Sequence, residues 1–115
     1  MMRHFTKEMA YKTQQGLKTK TTRYKAWKVG EISNAVFGSR YKPVVFGIIK
    51  VNSAIPTTWR ASCASNWREE GFSSGEDMVA FIFKHKLVKN TIDDEVYTME
   101  YEYSKQAGHA EVAKP

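Results

Sequence analysis

Gly16-Leu17-Lys18-Thr19-Lys20-Thr21-Thr22-Arg23 sets a glycine turn directly before a short β-prone run of basic and hydroxyl side chains. In an extended strand successive side chains point to opposite faces, so Lys18, Lys20 and Thr22 share one face and Thr19, Thr21 and Arg23 the other. Both faces are polar. A small domain needs its apolar positions for a core, so a two-sided polar strand beside a glycine reads as the floor or rim of a pocket. The competing reading is a solvated edge strand whose lysines discourage edge-to-edge pairing.

Upstream of this stretch, residues 2–5 read as a first strand, and Thr6 as the N-cap of a helix over Lys7–Gln15 that Gly16 closes. Downstream, the polar run continues to Tyr24 and Trp27 anchors the next turn. A strand is expected over Glu31–Phe37, then a loop over Gly38–Pro43. Val44–Asn52 is the strongest strand signal, rich in β-branched residues, with Gly47 marking a bulge or a sharp bend. Ile55–Trp59 reads as a turn out of the sheet. Ala61–Glu70 tolerates helix, and Ser73 or Ser74 caps a further helix over Gly75–Lys86 that buries Met78, Val79, Ile82 and Phe83, with Ser73 and Glu76 at capping-box spacing. After an acidic turn at Asp93–Glu95, Val96–Tyr103 alternates: Tyr97, Met99, Tyr101 and Tyr103 face inward, and Thr98, Glu100 and Glu102 outward. Residues 104–115 have no large apolar side chain beyond Val112 and read as a disordered tail behind a domain of residues 1–103. This order predicts an α+β fold, a small mixed β-barrel with two or three helices packed outside.

The chain has 115 residues, 42% hydrophobic and 26% charged, the composition of one globular domain. No run is long and apolar enough to span a membrane, and Arg3, His4, Lys7 and Glu8 interrupt any leader-like core. One cysteine, Cys63, allows no internal disulfide, and a cytoplasmic location is expected. His4, His85, His109 and Cys63 have no metal-ligand spacing, so neither a metal site nor a cofactor is expected. The net charge of +6 is unevenly spread: residues 1–58 carry 11 Lys/Arg against 2 Asp/Glu, and residues 59–115 carry 7 against 10. A basic half containing a pocket-like motif suits a phosphate-bearing partner, RNA or a nucleoside derivative. Trp59 followed by Arg60 after a loop is the best placed of the three tryptophans to stack a base.

The pattern G-x-K-x-x-T-x-R of Gly16, Lys18, Thr21 and Arg23 resembles the signature of the ASCH domain, a PUA-like β-barrel family. Lys28-Val29-Gly30-Glu31 resembles the family's K-x-G-D turn, with Glu where Asp is usual. The Val44–Asn52 strand, Glu69-Glu70-Gly71-Phe72 before a Ser-capped helix, and the Val96–Tyr103 strand follow in the family's order. The resemblance implies an RNA- or nucleoside-binding cleft floored by Lys18, Thr21 and Arg23; the residues themselves add Gly16, Lys20, Lys25, Trp59 and Arg60 as expected ligand contacts. The family includes a small amidohydrolase acting on N4-acetylcytidine. Carried over by motif position, its proposed catalytic set becomes Lys18, Thr21 and Glu70, with Glu69 the adjacent alternative to Glu70. The Trp67-Arg68 pair and the basic run Lys20, Lys25, Lys28 depart from those small enzymes.

Amide hydrolysis needs a nucleophile, a base and oxyanion donors. Lys18 can activate a threonine only if burial or a neighbouring cation depresses its pKa, and Glu70 can then hold the lysine or move a proton. Lys18 and Thr21, three apart, point to opposite faces of an ideal strand, unless Gly16 lets Lys18 sit in the turn and curl back. Three activities therefore stand side by side: a non-catalytic RNA-binding module, a hydrolase of acylated pyrimidine nucleosides, and a ribonuclease using Lys18 with Glu70.

Overall fold

Thr6 ends the first strand and starts the first helix, its hydroxyl accepting the Met9 N–H at 3.2 Å. In the computed structural model, which describes residues 1–115, helix α1 spans Lys7–Gln14. It closes in a Schellman turn: Leu17 N–H donates to Lys12 O, Gly16 N–H to Thr13 O, and Gly16 takes φ +78°. The remaining elements are β1 (Met2–His4), β2 (Lys20–Arg23), β3 (Ile32–Gly38), β4 (Pro43–Thr58), α2 (Trp59–Ser65), α3 (Gly75–Lys84) and β5 (Glu95–Ser104). The cap of α3 is Ser74, which accepts from Asp77 N–H at 3.1 Å; Ser73, the other candidate, is exposed.

The strands form one sheet in the order β1-β3-β4-β5-β2, parallel between β1 and β3 and antiparallel elsewhere. The sheet is open, not the closed barrel expected from the sequence. Its end strands are three and four residues long, too short to build a ladder across the remaining gap. Arg23 bridges that gap, donating from Nη2 to His4 O at 2.9 Å. Its guanidinium lies 5.0 Å from the Trp27 ring centroid and 5.6 Å from that of Phe5.

Strand β4 runs to Thr58, well past the expected end at Asn52. Asn52 is absorbed as a bulge between the Val51–Tyr101 and Ser53–Glu100 pairs. Pro56 is tolerated because β3 stops pairing at Lys50, leaving β4 a free edge where no N–H is required. A second bulge sits where Gly47 predicts one: Ala35 pairs with Gly47 and Val36 with Val45, which leaves Phe46 extra.

The two faces of the sheet carry separate cores. On one, Phe5, Met9, Trp27, Phe46, Ile49, Met99 and Tyr101 pack together. On the other, Trp59 and Cys63 of α2 meet Met78 and Ile82 of α3 over Val96. The alternation of β5 holds for its inward Met99 and Tyr101, but Thr98 on the opposite face is also buried, because α2 and the turn after it cover that side. Phe83, expected on the buried face of α3, is 52% exposed.

Of residues 104–115, read from composition as a disordered tail, Ser104 ends β5 and the rest folds back onto α1. Val112 joins the first core, its N–H donates to Gln14 Oε1 at 2.8 Å, Gln14 Nε2 donates to Ala110 O at 3.0 Å, and Ala110 N–H reaches Val45 O. The side-chain amide of Gln14 pairs with this segment much as a strand's backbone would.

Glu31, the acidic residue of the K-x-G-D-like turn, is clamped by Arg3 through Nε and Nη2 at 2.7 and 2.6 Å, and accepts from Ser33 Oγ at 2.6 Å. The Arg3 hydrogen bonds are the main reason its carboxyl falls from 4.5 to about 2. A carboxylate with a depressed folded value stabilises the protein above its ordinary pKa and loses that contribution as pH falls through the folded value. The gap in unfolding midpoint between the parent and Glu31→Gln is therefore expected to be full above pH 4.5 and to close towards pH 2. A gap that stays constant over that range in thermal melts would show the clamp to be without effect.

Candidate functional site

Lys18 precedes β2 and curls back beneath it. Thr19 N–H and Lys20 N–H both donate to Glu69 O, at 2.7 and 3.1 Å, and this fastens the start of β2 to the turn that follows α2. Gly71, with φ +93°, lets that turn close against Lys18: a Cβ there would stand 3.4 Å from Lys18 Cβ and 3.0 Å from Lys12 Cδ. The result is a buried ion pair. Lys18 Nζ donates to Glu70 Oε1 at 3.3 Å, to Glu70 O at 3.3 Å and to Lys20 O at 2.8 Å, and the two side chains are 4% and 5% exposed. Of the two adjacent carboxylates, Glu70 is the one on Lys18; Glu69 contributes its carbonyl. Burial lowers the Lys18 pKa from its ordinary 10.5, opposed chiefly by the Glu70 charge.

The second Glu70 oxygen is held by hydroxyls. Thr22 Oγ1 donates to Oε2 through a short bond, and Ser62 Oγ donates to it at 3.1 Å. Thr22 also lies 2.7 Å from Ser62 Oγ and 3.0 Å from Thr98 Oγ1, its cross-strand partner on β5. The threonine on the carboxylate is thus Thr22, not Thr21. Thr21 is buried on the other face of the strand, where its hydroxyl accepts from Arg23 Nε at 3.2 Å. The strand's two-residue period makes this unavoidable once Thr22 faces α2.

Thr98 carries this network to the surface. It floors a cleft of about 230 Å³ on the α2 side of the sheet, walled also by Lys20, Ser53, Thr57, Asn66 and Glu100. Lys20 reaches Asn66 Oδ1 at 3.4 Å across its rim. Gly16 lines two other depressions beside the same turn, of about 560 and 320 Å³. Lys25 is exposed in the turn after β2. Arg23 is engaged in bridging β2 to β1, away from the cleft.

Two expected ligand contacts lie away from the cleft. Trp59 is 2% exposed and packs edge-on to Tyr24, with ring centroids 5.9 Å apart, so it is core and has no face to offer a base. It is buried because β4 continues to Thr58 and the chain enters α2 directly, with no intervening loop. Arg60 pairs with Asp93 at 2.8 Å on the surface outside the cleft. The residues the sequence reading missed are Ser62, Thr98, Ser53, Thr57, Asn66 and Glu100. Only the register of β4 against β5, and the length of α2, place them together.

Burial pushes the Cys63 thiol up to about 11, which leaves it a poor nucleophile. No cluster of three or more His, Cys, Asp and Glu side chains lies within metal-binding reach, and no helix is long and apolar enough to cross a membrane.

The architecture is that of ASCH domains. A structure of an Enterococcus faecalis protein of the family DUF984 superposes with a TM-score of 0.64 at 16% identity, over 84% of this chain and 66% of that one. A point variant of an ASCH protein from Zymomonas mobilis gives 0.61 at 14% identity, over 87% and 66%, and an ASCH domain from Lactobacillus crispatus gives 0.56 at 11%, over 83% and 69%. The chain thus spans about two thirds of the length of these structures. By sequence it matches no family model and no curated protein.

Proposed function

We propose that this ASCH-fold chain binds a single pyrimidine base, free as a nucleoside or within single-stranded RNA, in the cleft over Thr98. The observation that carries this is the cleft itself. At about 230 Å³ it lies below the roughly 300–1,000 Å³ of sites for drug-sized ligands, which leaves room for about one base. Its walls combine Ile55 and Pro56, which offer apolar contact to a base face, with hydroxyl, amide and charged side chains able to pair with a base edge, and Lys20 stands at the rim for a phosphate or ribose. The basic excess of residues 1–58 supplies the longer-range attraction for a nucleic acid.

A second reading, hydrolysis of an N4-acylated cytidine, is favoured by one feature: Lys18, its pKa lowered by burial, is fixed on Glu70 with the Thr22 and Ser62 hydroxyls alongside. Against it, Lys18 spends its hydrogen bonds on Glu70 Oε1 and two carbonyls, and Thr21 stands on the far face of β2.

Titration calorimetry with cytidine, uridine and short single-stranded oligoribonucleotides tests the binding reading. Saturable binding that weakens in Lys20→Ala is expected, with a shallower salt dependence for the oligomers in that variant. Incubation with N4-acetylcytidine tests the other: release of cytidine that vanishes in Glu70→Gln would replace the binding module by the hydrolase.

A further inference from the structure

The direction of the hydrogen bonds around Glu70 constrains what can bind in the cleft. Glu70, facing the Lys18 ammonium, is a carboxylate and only accepts. Thr22 has one hydroxyl proton, and it is given to Glu70 Oε2. The 3.0 Å contact between Thr22 Oγ1 and Thr98 Oγ1 then forms only if Thr98 donates. Ser62 leads to the same end. Its one proton serves Thr22 Oγ1 at 2.7 Å and Glu70 Oε2 at 3.1 Å, and in either position none is left for Thr98, so the 3.4 Å contact also takes Thr98 as donor. The single proton of Thr98 is therefore turned inward, so that all its hydroxyl has left to offer the cleft it lines is lone pairs.

We infer that Thr98 is a specificity-determining residue that accepts a hydrogen bond from the ligand, so the cleft selects an amino-bearing base over one with a carbonyl at the same position. The inference rests on the nucleobase-binding reading and deepens it. A carbonyl at that point would face the Thr98 lone pairs with no proton between them, and a buried acceptor left without a donor is costly. Glu100, in the same wall, is likewise an acceptor, while the donors of the cleft, Lys20 and the Asn66 amide, stand across its rim from Thr98. The ion pair 18–70 acquires a role here: its carboxylate sets the polarity of a hydroxyl chain that ends at the ligand.

The test compares cytidine with uridine, which differ at this point by an amine against a carbonyl, and the cytidylate with the uridylate hexamer. The four dissociation constants are measured for the parent, Thr98→Ser and Thr98→Val, and melts check that each is folded. Cytidine is expected to bind tighter by about tenfold or more, the order of one buried hydrogen bond left unmade. The preference is expected to persist in Thr98→Ser and to shrink towards parity in Thr98→Val. If only the hexamers bind, with the same order, RNA and not the free nucleoside is the source of the base. Equal or tighter binding of the uracil partner by the parent overturns the inference while leaving the binding reading in place. So does a preference undiminished in Thr98→Val. Failure of all four ligands to bind overturns the binding reading and this inference with it.

Discussion

Glu70→Gln is expected to lose about 3–5 kcal/mol of stability, because it strips a buried ammonium of its countercharge. Lys18 keeps two carbonyl acceptors, from Lys20 and Glu70, but carbonyls do not offset the desolvation that already dominates its lowered pKa. In the variant Lys18 is expected to fold uncharged, while the unfolded chain keeps it protonated up to its ordinary 10.5. The unfolded state then binds the extra proton. Stability therefore rises with pH in the window between the depressed folded value and 10.5, by about 1.36 kcal/mol per unit. Lys18→Met alone is expected to cost a similar amount, since it leaves the Glu70 carboxylate buried without its cation. The double variant Lys18→Met/Glu70→Gln is expected to recover much of the loss, with a coupling of up to about 3 kcal/mol. Denaturant melts at several pH values decide it. Losses that simply add, or a Glu70→Gln melt that does not respond to alkaline pH, would show that the pair is not coupled as its 3.3 Å geometry requires.

This result also bears on the choice between binding and hydrolysis. A catalytic lysine must exchange partners during turnover, whereas a lysine whose role is to charge Glu70 and orient hydroxyls must not. A double variant that is stable and still binds with parent affinity but loses its preference for cytidine would place the pair in the second class.

Much of the element order was legible because it rests on local chemistry. Thr6 caps α1, Gly16 ends it in the left-handed conformation, and the Tyr97–Tyr103 alternation marks a strand, all from signals a few residues long. The end of β4 was not legible: Asn52 and Pro56 are breakers in isolation, and only a bulge against β5 and a free edge beyond β3 make them compatible with a strand. Barrel closure failed for a related reason, since the pairing of β1 with β2 is a property of strand length and neighbours that no local signal encodes. At the site, Lys18 and Glu70 were found through the motif and its order along the chain. Thr21 was carried over by the same motif against the strand's parity, which gives the carboxylate to Thr22. Ser62 and Thr98 lie 8 and 28 residues from Glu70, and nothing in their own segments distinguishes them from surface hydroxyls.

Gly47→Ala is expected to cost about 1–3 kcal/mol, the range for a methyl forced into a filled space, although the strand alone argues the other way. In a strand interior glycine is worse than alanine by roughly 0.5–1 kcal/mol, so a sequence-based substitution would favour alanine. What opposes it is Tyr103, lying across β4 so that a Cβ on Gly47 would come within 2.6 Å of its Cζ and 2.7 Å of its Oη. The ring cannot simply move aside. It stacks on Phe46 with centroids 5.8 Å apart, its hydroxyl donates to Phe46 O, and it accepts from Gln14 Nε2 at 3.2 Å. The same Gln14 amide holds residues 110 and 112, so displacing Tyr103 is also expected to loosen the C-terminal segment and expose it to limited proteolysis. In a Tyr103→Ala background the obstacle is gone, and Gly47→Ala should there become neutral or stabilising. A sign reversal between the two backgrounds, measured by denaturant melts, assigns the glycine to the close approach of the Tyr103 ring. The same cost in both would assign it to the backbone of the Phe46 bulge instead.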